Sequence, residues 1–135
     1  NKLGHKLKII GGGSVEEIES LKSIANPNIE FLGRVDRETI IMHYARARAF
    51  IFPGVEDFGI TPLEANAAGC PLIAYGYGGV LETQTEYTAQ FFNEPTVDAL
   101  IEAVNNFQAK EAKDLLARAE DFSKDRFFVE LMRNL

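Results

Sequence analysis

The chain has 135 residues, enough for one domain with a real core, and its 46% hydrophobic and 25% charged residues suit an ordinary globular domain. A net charge of −6 offers no basic field to a nucleic acid. No apolar run approaches the roughly 20 residues of a membrane span. The single cysteine, Cys70, excludes an internal disulfide and a Cys cluster for metal, so a reduced, cytoplasmic setting is the default expectation.

In chain order, residues 1–5 read as the end of a helix feeding a first strand, and the opening stretch lacks the apolar region and cleavage site of a signal peptide. Leu7, Lys8, Ile9 and Ile10 form that strand and end on Gly11, Gly12 and Gly13. Val15, Ile18, Leu21 and Ala25 then recur at helical spacing until Pro27 stops the helix. Ile29 to Gly33 reads as a second strand, and Ile40, Ile41, Tyr44 and Ala45 mark the next helix. Residues 49–53 are a continuous apolar run, as in a strand buried on both faces.

A loop over residues 54–60 leads into a helix predicted over 62–68, with Gly69 at the position just past its end and Pro71 barring continuation. Leu72 to Tyr75 is another strand, followed by a turn over residues 76–79, and Ala89 to Phe92 is a weak last strand. Three amphipathic stripes close the chain. They run through Val97, Leu100, Ile101, Val104 and Phe107, then Leu115, Leu116, Ala119 and Phe122, then Phe127, Phe128, Leu131 and Leu135.

This β–α alternation predicts an α/β, Rossmann-like open parallel sheet with helices on both faces, in a single domain over residues 1–135. In such a fold ligands bind at the carboxyl ends of the strands, which points to the loops at 11–14, 33–36, 53–61 and 76–79. A doubly wound domain would begin with one more strand and helix, so the chain reads as a piece of a larger enzyme lacking those elements.

The residues with the clearest chemistry are Glu56-Asp57-Phe58-Gly59-Ile60-Thr61-Pro62-Leu63-Glu64. Thr61 is expected as N-cap and Pro62 as first helical residue. The free amides around Gly59, Ile60 and the helix start then form an anion site suited to a diphosphate. Gly59 allows the backbone close to a ligand. Carboxylates are strong acceptors for sugar hydroxyls, so Glu56 suits a sugar and Glu64 a ribose. The competing reading of Thr61 and Glu64 is a capping box, with Glu64 bonding only the Thr61 amide. Gly11-Gly12-Gly13 fails the dinucleotide pattern because Glu16 stands where the third glycine is needed, so a tight strand-to-helix turn is expected there. His43, Cys70 and the Arg46/Arg48 pair read as packing or surface residues.

Phe-Ile-Phe-Pro, the 56–65 segment continuing to Asn-Ala-Ala-Gly-Cys-Pro-Leu-Ile-Ala, and Gly-Gly-Val-Leu-Glu together resemble the C-terminal domain of the group 1 (family 4) glycosyltransferases. The family has the GT-B fold and a Glu-x7-Glu motif. The segments Leu-Lys-Ile-Ile-Gly-Gly-Gly, Ile-Glu-Phe-Leu-Gly-Arg-Val and Phe-Ser-Lys-Asp-Arg-Phe also fit, so the resemblance covers almost the whole chain. It implies that Glu56 is the catalytic residue touching the donor sugar and that Glu64 holds the ribose. Phe58, Gly59, Ile60 and Thr61 would supply donor contacts, chiefly through backbone amides. Gly11, Gly12 and Gly13 would lie beside the diphosphate, and Val35 would hold the base through its main chain.

The wording around these motifs is similar to mannosyltransferases that build bacterial surface polysaccharides. GDP-mannose is therefore the first donor candidate and a UDP-sugar the second, with no other cofactor. Transfer with retention, no metal ligand in the absence of Asp-x-Asp, and a cytoplasmic, peripherally membrane-associated full-length enzyme are expected. The family's diphosphate-binding Arg and Lys and its acceptor-binding N-terminal domain have no counterpart here, so this chain alone is expected to be inactive. The Gly-rich turn usual before the last strand reads Gln84-Thr85-Glu86-Tyr87-Thr88, an altered loop. The rivals are a nucleotide-sugar epimerase of the same architecture and a non-catalytic α/β binding module.

Overall fold

A computed structural model describes residues 1–133. The chain divides into two compact units, Asn1–Ile40 and Ile41–Leu135. Leu135, expected to end the last apolar stripe, lies outside the described residues.

In the first unit, β1 (Leu7–Ile10) pairs in parallel with β2 (Ile29–Gly33), and α1 (Val15–Ile24) connects them. α1 begins with a capping box. The Glu17 amide donates to Ser14 Oγ at 3.2 Å, and the Ser14 amide donates back to Glu17 Oε2 at 3.0 Å. Those Ser14 bonds, backbone first, hold the Glu17 carboxyl below its ordinary value. Residues 1–5 do not form the expected helix end. They make a turn, with Gly4 at φ 68°, and Asn1 Nδ2 donates to the Ile24 carbonyl at 2.6 Å while its Oδ1 accepts from Asn26 N at 2.8 Å. Asn1 thus satisfies groups left over at the C-terminal end of α1 instead of extending a helix of its own.

α2 (Arg37–Arg46) leads into the second unit, where β3 (Phe50–Phe52), β4 (Leu72–Tyr75) and β5 (Ala89–Phe92) form a parallel sheet in that order. α3 (Ile60–Ala67) joins β3 to β4, and the short α4 (Val80–Thr83), unanticipated from sequence, lies between β4 and β5. α5 (Val97–Asn105), α6 (Ala112–Asp121) and α7 (Lys124–Arg133) follow.

Strand periodicity decides what covers each face. Leu72 and Ala74 of β4 point into one cluster with Phe52, Ala65, Cys70, Val80 and Ala89. Ile73 points the other way, to Phe92, Ala103 and Phe107, with Tyr75 packed against that second cluster. Ala65 belongs to α3 and Ala103 to α5, so helices flank this sheet on both faces. β4, central and covered on each side, is the most buried strand, with Leu72 and Ala74 at 0% exposure.

The end of α3 follows the sequence expectation. Gly69 takes φ 78°, its amide donates to Asn66 O at 2.8 Å, and the Cys70 amide donates to Ala65 O at 2.8 Å. That pair is a Schellman motif, and it turns the chain into β4 just before Pro71. The altered loop before β5 closes on itself: Thr88 Oγ1 accepts from Thr85 N at 3.0 Å, and the Ala89 amide donates to Thr85 O at 2.9 Å. Among the described residues no helix is long and apolar enough to cross a membrane.

Candidate functional site

The loop from β3 to α3 carries Glu56, Asp57 and Phe58, all exposed, at the carboxyl end of β3. Its conformation is set from outside, by the turn that follows β4. The Gly79 amide donates to the Glu56 carbonyl at 2.9 Å. A side chain on Gly79 would overlap the Asp57 carbonyl and sit 2.7 Å from Phe58 N. Gly78, at φ 77°, brings its own backbone equally near, where a Cβ would meet Glu56 O at 3.0 Å. Two adjacent glycines are needed because the 76–79 backbone lies directly on the 56–58 backbone. The sequence points to residues 76–79 as a loop at the strand ends; the hold of Gly78 and Gly79 on the Glu56 loop, a contact between segments about twenty positions apart, is not legible in it.

The start of α3 differs from expectation. Gly59, not Thr61, is the N-cap, in the left-handed region at φ 80°, and no side chain caps the helix. Ile60 is the first helical residue, Thr61 the second and Pro62 the third. The capping box between Thr61 and Glu64 therefore does not form, because Thr61 already has helical backbone. The reason is steric and local: glycine takes a positive φ without a Cβ penalty, and that turns the chain into the helix two residues early. Pro62 fits the third position because its missing N–H belongs to the set without an intrahelical acceptor. The Gly59, Ile60 and Thr61 amides belong to the same set. Gly59 is buried, whereas Ile60 and Thr61 are exposed.

Glu64, half-buried in the second turn, has a different neighbour from the one a capping box supplies. Burial first, then the Glu64 charge and the Cys70 thiol, raise the pKa of Tyr44. The Tyr44 ring meets Phe50 edge-on at 5.1 Å between centroids, which fixes it against β3.

A second support comes from α6. Phe58 stands T-shaped to Phe122, with centroids 5.8 Å apart and planes at 72°. The Arg118 guanidinium lies 4.7 Å from the Phe122 centroid, and its Nε donates to Thr83 O at 2.9 Å. A second guanidinium N–H donates to Glu82 O, and Asp121 holds the same group at 3.6 Å. Arg118 thus satisfies carbonyls at the end of α4 while stacking on the ring that touches Phe58. An aromatic pair of this geometry contributes about 0.5–1.5 kcal/mol beyond its buried area.

The remaining expected site residues lie in the first unit. Gly11, Gly12 and Gly13 line a hollow of about 660 Å³ with Ile9, Phe31 and Leu21. Arg34 folds across Gly12 so closely that a Cβ there would meet its Nε at 2.9 Å. Val35 is half-buried ahead of α2. Asp36 Oδ1 accepts from Thr39 N at 2.7 Å, and that bond, the largest cause, lowers the Asp36 pKa.

Parallel strands connected by helices place both units in the α/β class. The family described as glycosyl transferases group 1 matches residues 2–126. The chain belongs to that family. It is 36% identical over 106 residues to a GDP-mannose-dependent monoacylated alpha-(1-6)-phosphatidylinositol monomannoside mannosyltransferase of Corynebacterium glutamicum, covering 72% of this chain and 28% of that protein. It is 30% identical over 145 residues to the human alpha-1,3/1,6-mannosyltransferase ALG2, covering 93% and 35%. The sucrose-phosphate synthase of Thermosynechococcus elongatus shares the fold with a TM-score of 0.82 at 24% identity, over 95% of this chain and 37% of that one. The chain thus spans about a third of the length of these relatives.

Proposed function

We propose that residues 1–135 are the nucleotide-sugar-binding domain of a retaining glycosyltransferase that uses GDP-mannose. The enzyme would transfer mannose to a glycan or lipid-linked acceptor held by a further, N-terminal domain. The observation that carries this reading is the start of α3: an uncapped helix end at a left-handed glycine, with Glu56 three residues before it in a loop fixed by Gly79. In this reading the amides of Ile60 and Thr61 face the donor diphosphate. Negative charge grows on that group as the glycosidic bond breaks. Fixed amides and the helix dipole stabilise it without reorganising at the moment of reaction. Glu56 accepts hydrogen bonds from sugar hydroxyls, and Glu64 from the ribose.

GDP-mannose is preferred over a UDP-sugar because the bacterial and human relatives named above are mannosyltransferases, one of them GDP-mannose-dependent by name. A cytoplasmic setting agrees with the lone, buried Cys70 thiol. The first unit's Gly11, Gly12, Gly13 and Val35 keep the roles the resemblance implies, toward phosphate and base.

The test is ligand-dependent thermal stability of the full-length enzyme with GDP-mannose, GDP and UDP-sugars, followed by transfer assays on Glu56→Gln and Glu64→Gln. GDP-mannose should raise the Tm most. Glu56→Gln should lower kcat/KM at least tenfold, an effect of about 1.4 kcal/mol on the transition state. Full activity in both variants would remove the site assignment, and stabilisation by a UDP-sugar alone would replace the donor.

A further inference from the structure

We infer that Phe122 is a positioning residue for the donor loop, acting through the side chain of Phe58. The inference rests on the donor-site reading above and adds to it a residue about 60 positions away in sequence, on α6. Phe58 is flanked by Asp57 and Gly59, so its ring is the side-chain handle next to the left-handed turn that starts α3.

That ring is 47% exposed and meets Phe122 edge-on. Gly78 and Gly79 clasp the loop through backbone on one side; the Phe122 ring meets its side chain. Phe122 is itself held. It is the C-cap of α6, its amide donates to Ala119 O at 3.2 Å, and the Arg118 guanidinium stacks on it at 4.7 Å. Arg118 is anchored in turn on the Thr83 and Glu82 carbonyls. A rigid relay therefore runs from the end of α4, through Arg118 and Phe122, to Phe58 and the Ile60 and Thr61 amides. The side chains of Arg118, Phe122 and Phe58 touch no reacting atoms in the proposed site. Their effect is to order the loop before donor arrives, so that binding does not have to order it.

The experiment compares Phe122→Leu, Phe122→Tyr and Phe58→Leu with Glu56→Gln in the full-length enzyme, by donor KM, kcat and hydrogen exchange of the 57–61 amides. Phe122→Leu should raise donor KM about fivefold with kcat within about twofold, the pattern of a lost ordering contribution. Exchange of the 57–61 amides should quicken more than that of β4. Phe122→Tyr, which keeps the ring, should restore both readouts. Phe58→Leu should match Phe122→Leu, and the double variant should be no worse than either single. Unchanged KM and unchanged local exchange in Phe122→Leu, or additive effects in the double variant, overturn the positioning role. If Phe122→Leu fails to fold, Phe58→Leu carries the same KM and exchange test against Glu56→Gln. A Glu56→Gln enzyme with normal activity overturns the donor-site reading instead, whatever the Phe122 variants do.

Discussion

The Gly79 amide donates to the Glu56 carbonyl at 2.9 Å, and this one bond couples the loop after β3 to the turn after β4. It places a candidate catalytic carboxylate under the control of a glycine 23 positions later. Because the two backbones are in contact, the space is already full. Gly79→Ala should destabilise the protein by about 1–3 kcal/mol, the cost of overpacking a site that cannot give way. Gly54→Ala is the internal control, since a Cβ at Gly54 meets nothing within 4 Å. Urea denaturation of both variants checks this. Equal midpoints would show that the 56–58 loop can move aside.

Gly59 makes a different demand, one of backbone angle more than of space. A Cβ there would sit 3.4 Å from Pro62 Cγ, a contact the neighbour can accommodate, but φ 80° is unfavourable for any L side chain. Gly59→Ala should cost about 1–2 kcal/mol. Gly59→Asn should cost less, because Asn tolerates the left-handed region best among non-glycine residues. Gly59→Val should cost most. Thermal melts of the three variants test the order. An alanine variant as stable as the parent would mean that α3 can restart at Thr61, as its sequence suggests.

Cys70 follows Gly69 and closes the Schellman turn, and it is 0% exposed. Burial pushes its thiol up to about 11. At pH 8 only about 0.1% of such a thiol is thiolate, the form that reacts. The native protein should therefore show no fast reaction with an aromatic disulfide reagent, and one equivalent should react after denaturation in guanidinium. Rapid labelling of the native chain at pH 8 would contradict the burial of the turn.

The parts of this fold that could be read in advance are those written in consecutive residues. Leu7 to Ile10, Ile29 to Gly33 and Leu72 to Tyr75 are strands whose apolar or β-branched content and glycine or proline borders are local; Ala89 to Phe92 has the apolar content without such a border. Gly69 with Pro71 announces the end of α3 for the same reason. The start of α3 was misread because Thr61-Pro62 and Glu64 carry a strong local capping signal. A left-handed glycine two residues earlier overrides it, and Gly59 looks the same in sequence whether its φ is positive or negative. The Gly79 contact on Glu56 and the Phe122 contact on Phe58 could not be read at all. Both join segments brought together only by the sheet and by α6. Ser14 and Glu17 are the opposite case, a capping box written in consecutive residues.

That capping box, with Asp36 at the start of α2, gives the first unit a defined acid response. Both carboxyls are lowered from their ordinary values of 4.5 and 3.8, by hydrogen bonds from Ser14 and Thr39 respectively. A carboxyl with a lowered folded-state pKa contributes stability above its unfolded value, and that contribution is lost as pH falls through the lower folded value. Stability should therefore hold from pH 7 to about 5 and fall below about 4.5, where the unfolded chain begins to bind these protons first. Glu17→Gln and Asp36→Asn each remove a titrating carboxyl while leaving an acceptor for the Ser14 and Thr39 amides. Each variant should flatten the decline between pH 5 and 3, measured as Tm against pH beside the parent. A parent curve and variant curves of the same steepness would mean that neither helix start contributes to acid unfolding. In that case the carboxylates of the second unit would govern it.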